Sequence, residues 1–192
     1  GRRSEIIDEL VAAVASVPEV LILDVEADPS HNRSIITFVG ERPQVEEAAF
    51  RSIKRASELI DMTQHEGEHP RMGAADVVPF VPIRSVTMEQ CVELAQRLGR
   101  RVGDELCIPV YLYEAAASRP ENRNLEHIRR GEYEAIRDEI ATQAERVPDY
   151  GPRQLGTAGA VAIGARAALI AYNVFLNTAD IEVAKSVARA IR

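Results

Sequence analysis

His65-Glu66-Gly67-Glu68-His69-Pro70-Arg71-Met72-Gly73-Ala74-Ala75-Asp76-Val77-Val78-Pro79-Phe80-Val81-Pro82-Ile83 is the stretch on which the fold turns. Its first five residues satisfy HExxH, the pattern that on a helix sets two imidazoles at i and i+4 around a zinc ion. Glu89 falls where a third ligand from a following helix would lie. Read that way, the segment is a helix of a zinc metalloprotease. Two residues oppose that reading: Gly67 lowers helix stability by about 1 kcal/mol, and Pro70 biases His69 away from the α region. The better reading is an irregular loop between a helix and the extended segment Asp76–Ile83. It carries His65, Glu68, His69 and Arg71 within seven residues, with no metal. Pro79 and Pro82 cannot donate to a ladder, which assigns that strand to an edge or a bulge.

Working outward, Val45, Ala49, Ile53, Ala56 and Ile60 predict a helix from Pro43 to about Met62, and Ile7, Leu10, Val11 and Val14 an earlier one that ends before Pro18. Between them, residues 20–25 and 34–40 read as β-branched strands on either side of a polar turn. Downstream, Thr87 with Gln90 forms a capping-box pattern opening a helix whose face is Cys91, Leu94, Ala95, Leu98, Val102 and Leu106. A strand at 108–113, a charged helical stretch at 122–145 and a long flexible loop at 148–160 follow. Two apolar runs, 160–165 and 168–176, read as strands, and Thr178 caps a last helix with Ile181, Ala184, Ala188 and Ile191 on one face. The expected fold is α/β: one mixed β-sheet of about six strands with helices packed on its outer face.

Composition narrows the function. The chain has 192 residues with 23 Lys and Arg against 30 Asp and Glu, a net charge of -7, which excludes a phosphate-backbone reader of nucleic acid. No apolar run reaches the ~18–20 residues of a membrane span. Cys91 and Cys107 are isolated thiols, read as reduced core residues, and with no signal peptide visible they point to the cytoplasm.

Other segments also carry polar chemistry. Asp24, Glu26, Asp28, His31 and Arg33 cluster between the first two strands, where Asp24 and Glu26 share a face suited to an amine or amidine; the alternative is a plain charged turn begun by Asp28-Pro29. Gly156, Gly159 and Gly164 lack both the GK[ST] of a P-loop and the GxGxxG of a dinucleotide turn, so they read as positions that need positive φ. His127, beside Arg129 and Arg130, reads as an exposed helix residue.

Several stretches together resemble the N-terminal subdomain of the formiminotransferase domain: LDVEADPSHNRSIITFVG (23–40), ELIDMTQHEGEHPRMGAADVVPFVPI (58–83), IPVYLYEAAA (108–117), IRRGEYEAI (128–136), VPDYGP (147–152) and GARAALIAYNVFL (164–176). The resemblance implies transfer of a formimidoyl group from N-formimidoyl-L-glutamate to the co-substrate tetrahydrofolate, with His69 as acid/base. It also implies a folate-contacting loop over Gly151, Pro152, Arg153, Gln154, Leu155, Gly156, Thr157, Ala158, Gly159 and Ala160. Glu26 or Glu68 is expected to stabilise the cationic amidine, and Arg33, Arg71 or Arg153 to bind substrate carboxylates. Family members begin with a strand like ECVPNFSEG and continue into a second α/β subdomain, so residues 1–192 are expected to be the N-terminal subdomain alone. The implied partners are a second copy in a homodimer and a cyclodeaminase. A folate-binding or dimerisation subdomain without turnover of its own is the alternative.

Overall fold

In a computed structural model, which describes residues 1–169 and 174–191, the capping box is formed as read. Gln90 N–H donates to Thr87 Oγ1 at 3.3 Å and Thr87 N–H to Gln90 Oε1 at 3.0 Å, opening helix α3 (Met88–Leu106). Helix α1 is Ser4–Ala15, burying Leu10 and Val14, and α2 is Arg42–Leu59 with Pro43 in its first turn. Strands β1 (Leu21–Asp28) and β2 (Arg33–Val39) form an antiparallel hairpin, registered from Leu21 opposite Val39 to Asp28 opposite Arg33, with a bulge between Ile22 and Asp24. Strands β3 (Val77–Phe80), β4 (Val110–Glu114) and β5 (Val161–Ala165) form a parallel sheet in the order β3-β5-β4.

That parallel sheet is covered on both faces, as such sheets must be when crossovers put helices on either side. Val110, Val161 and Ile163 pack on Leu94, Leu98 and Val102 of α3 and on Ile53 of α2. The alternate positions Tyr111, Tyr113 and Ala162 pack on Ile128, Ile136 and Ile140, from helices α4 (Leu125–Arg129) and α5 (Glu132–Glu139) and the residue that ends α5. Each fully buried Leu or Ile is worth ~1.5–3 kcal/mol of transfer free energy. Among the described residues the hairpin is covered on one face only, where Ile22, Ile36 and Phe38 meet Val14, Val17 and Ala48.

The fold class holds, but the single six-stranded sheet does not. Among the described residues there are five strands in two sheets, because β2 pairs only with β1 and β3 only with β5. Their other edges look into a cleft of about 2110 Å³ lined from both sides by residues of β2 and β3. The run 168–176 is no strand where it is described; residues 170–173 lie outside the described residues. The charged stretch 122–145 breaks at Gly131, which takes φ 73°, into α4 and α5, flanked by short 3-10 turns. The last helix, α6 (Ile181–Ala190), is capped by Asp180 rather than Thr178, whose hydroxyl accepts from the Asp180 N–H. Both cysteines are free, but only Cys91 is buried; Cys107 is exposed in the left-handed residue that ends α3. No described helix is long and apolar enough to cross a membrane.

Candidate active site

The HExxH segment is not a helix. Residues 65–70 are bends and irregular backbone after α2, so the two-imidazole face a zinc peptidase needs is not built. Among the described residues no three His, Cys, Asp or Glu side chains are placed to hold a metal ion. His65 and His69 do different things. The His65 Nε2–H donates to the Asn32 carbonyl at 3.2 Å, and its Nδ1 is buried without a partner. His69 Nδ1 lies 2.7 Å from the Pro70 carbonyl, which can only accept, so in the neutral ring the proton sits on Nδ1 and Nε2 is the free base. Burial holds the His69 imidazole below its ordinary range; the Pro70 hydrogen bond opposes this, while Arg33 and Arg129 add to it.

The loop carrying His69 is held in place by two charged clamps. Asp76, at the mouth of β3, accepts the Met72 N–H at 2.8 Å through one oxygen and pairs with Arg129 of α4 through the other. Burial pushes the Asp76 carboxyl up, opposed chiefly by Arg129. Arg71, only 15% exposed, pairs with Glu132 at 2.8 Å and Glu134 at 2.7 Å, and a fork so occupied grips α5. Arg71, expected from the sequence to bind substrate, is engaged within the fold, and the sequence signals the Asp76–Arg129 pair only by a lone carboxylate entering an apolar strand.

The loop at 148–160, expected to be flexible, is pinned. Val110 bonds both Asp149 and Tyr150, and the segment 156–160 is hydrogen-bonded directly to the His69 loop: Met62 N–H to Thr157 O at 2.7 Å, Ala74 N–H to Ala158 O at 2.9 Å and Ala160 N–H to Met72 O at 2.9 Å. Glycine permits this approach. A side chain at Gly73 would overlap the Ala160 carbonyl, and one at Gly159, which has φ 72°, would overlap the Met72 carbonyl. Two segments some 90 positions apart thus run side by side. Gly151, Pro152, Arg153, Gln154, Gly156 and Thr157 are exposed on this ridge; Arg153 donates to the Ile140 carbonyl at 3.3 Å.

The β1–β2 turn closes the other side. Asn32 Nδ2 donates to the Glu66 carbonyl at 2.8 Å, and a side chain at Gly67 would meet the His31 carbonyl at 2.5 Å. This brings His31 to His69, ring centroids 6.1 Å apart and edge-on at 73°. Arg33 lines the same cleft as His31, His65 and His69, whereas exposed Glu26 and Glu68 do not line it.

Residues 1–166 match the model of the formiminotransferase domain, N-terminal subdomain. The chain belongs to the formiminotransferase family. It is 53% identical to the glutamate formimidoyltransferase of Thermoplasma acidophilum over its whole length and 64% of that relative. The corresponding protein of Streptococcus pyogenes is 48% identical over the same shares. The formimidoyltransferase-cyclodeaminase of Mus musculus is 49% identical over 92% of the chain and 32% of its own length. This formiminotransferase chain therefore spans less than two thirds of each of these three relatives, and the residues just described belong to its matched subdomain.

Proposed function

We propose that residues 1–192 form the N-terminal subdomain of a glutamate formimidoyltransferase that moves a formimidoyl group from N-formimidoyl-L-glutamate to tetrahydrofolate, with His69 as general acid/base. The observation that carries this reading is the glycine seam at Gly73 and Gly159, which sets the His69 loop beside the folate-family loop 151–160. N5 of the reduced pterin attacks the amidine carbon; Nε2 of neutral His69 takes the N5 proton, and a proton must reach the departing glutamate nitrogen. Positioned proton transfer of this kind contributes ~10²–10⁴ in rate. A His69 held below its ordinary range stays neutral, and so basic, at neutral pH.

Arg33, exposed at the cleft and unpaired by any carboxylate among the described residues, is the better anchor for a substrate carboxylate; Arg71 is engaged within the fold. Glu26 and Glu68 then meet substrate only from the rim. Free thiols accord with a cytoplasmic setting, and exposed Leu23, Val25 and Ile35 on the hairpin with a homodimer. A cyclodeaminase partner accords with the names of the bifunctional relatives. Because the chain covers 64% of the single-function relatives, folate binding without turnover is the second reading. Calorimetry with tetrahydrofolate, followed by a formimidoyl-transfer assay, separates the two: transfer that disappears in His69→Ala supports the proposal, and transfer unaltered by that change contradicts it.

A further inference from the structure

His31 has the geometry of a working residue that neither the family resemblance nor the proposed mechanism uses. Its Nδ1 lies 2.5 Å from Asp28 Oδ2, so the ring donates Nδ1–H to a carboxylate and keeps Nε2 free. Asp28 is itself fastened by the backbone N–H groups of Ser30 and His31, at 2.9 and 3.0 Å, which with the ring hold its carboxyl below the usual range. An imidazole oriented through one nitrogen by a fixed carboxylate is the arrangement that readies the other for proton transfer. The edge of this ring meets His69, both rings line the same cleft, and the two are half-exposed rather than packed in the core. His65, the third histidine of the cluster, is spent on the Asn32 carbonyl.

We propose that His31, oriented by Asp28, is a second catalytic imidazole that delivers a proton to the departing nitrogen while His69 accepts one from the attacking nitrogen. This rests on the transfer reading given above. In the step, the bond from N5 to the amidine carbon forms and the N5 proton passes to His69 Nε2. The bond from that carbon to the glutamate nitrogen breaks, and its electron pair takes the proton of His31 Nε2. Return of the extra proton from His69 to His31 resets the pair, so nothing is oxidised and no further reactant is needed. Two rings at different angles to the cleft serve two different nitrogens, where a single ring would have to turn from one to the other.

The charges that face the pair set the sign of its pH dependence. Around His31 they are Asp28 on its own turn, Arg33 on β2, and Arg2 just before α1, whose Nε donates to the Pro29 carbonyl at 2.9 Å. Around His69 they are Arg33, Arg129 and Asp76.

The test compares the unaltered chain with His31→Gln and Asp28→Asn, reading imidazole titrations by NMR and formimidoyl transfer against pH. The turn keeps its backbone bonds to the residue 28 side chain in both variants. In His31→Gln the His69 midpoint is expected to move, because the imidazole that meets its ring edge-on is lost. Transfer is expected to fall ~10²-fold and to lose its alkaline limb, which reports the proton donor. Asp28→Asn should lower the rate less and move that limb. A His69 midpoint the same within a tenth of a unit in His31→Gln would overturn the pairing. So would an unchanged transfer profile. If the unaltered chain shows no transfer, the transfer reading fails and the catalytic role of His31 is overturned with it, even where a moved His69 midpoint shows that the two rings are coupled.

Discussion

The parallel sheet and the β1–β2 hairpin are built on opposite terms. In β4 and β5 nearly every residue is buried, and helices cover both faces; in β1 nearly every residue is exposed, and one face of the hairpin is open. The first region is a rigid mount. Its strand ends hold the His69 loop through Asp76, Arg129 and the glycine seam. The second brings Asp28, His31 and Arg33 to the same place on a two-stranded ribbon, tied across by Asn32. Such ribbons are marginal alone, so the hairpin depends on its packing against α1 and α2. The difference teaches that the proposed base and its proposed partner come from regions of unequal burial.

Substitutions sharpen or break that contrast. The largest effect is expected for His69→Ala, on the mounted side: transfer falls ~10²–10⁴-fold while thermal unfolding is unchanged within error. Asp76→Ala, which strips Arg129 of its partner and Met72 N–H of its acceptor, should cost about 2–3 kcal/mol in chemical denaturation. Gly159→Ala combines left-handed strain with overlap on the Met72 carbonyl and should cost more than about 1 kcal/mol, loosening both loops in amide exchange. On the hairpin, Leu23→Thr at a 61% exposed position should stay within about 0.5 kcal/mol. If Leu23→Thr proved as costly as Gly159→Ala, the contrast between the two regions would be lost.

The pH dependence follows from the same mount. His69 must be neutral to accept a proton, and its value is lowered, so the acid limb of transfer should lie below the ~6.5 of a free histidine. Arg33→Gln removes one of the cations that lower it and should move that limb upward by a fraction of a unit; a downward move would contradict the assignment.

Local patterns were legible in the sequence. The capping box at Thr87, the stripe of α3, the loop at 65–70 and the edge position of the Pro79 strand were all readable, because each is decided within a turn or two of chain. What failed depended on distant partners. The single sheet failed because β2 and β3 do not pair, and the strand count because residues 168–169 and 174–176 form no strand among the described residues. Loop 148–160 reads as flexible from its glycines and prolines, although one of those glycines, Gly159, is what lets it lie against Met72 and Gly73. His31 was visible only as one charge-cluster residue among five, and its meeting with His69 spans 38 positions that no local rule covers.

The central claim is that the seam between residues 72–74 and 158–160 makes one site of two loops, and amide NMR with tetrahydrofolate tests it most directly. The expected result is that resonances of 65–76 and 151–160 move together on one binding curve, and that Gly159→Ala weakens both by the same factor. Shifts confined to one loop, or two loops responding with different midpoints, would contradict it.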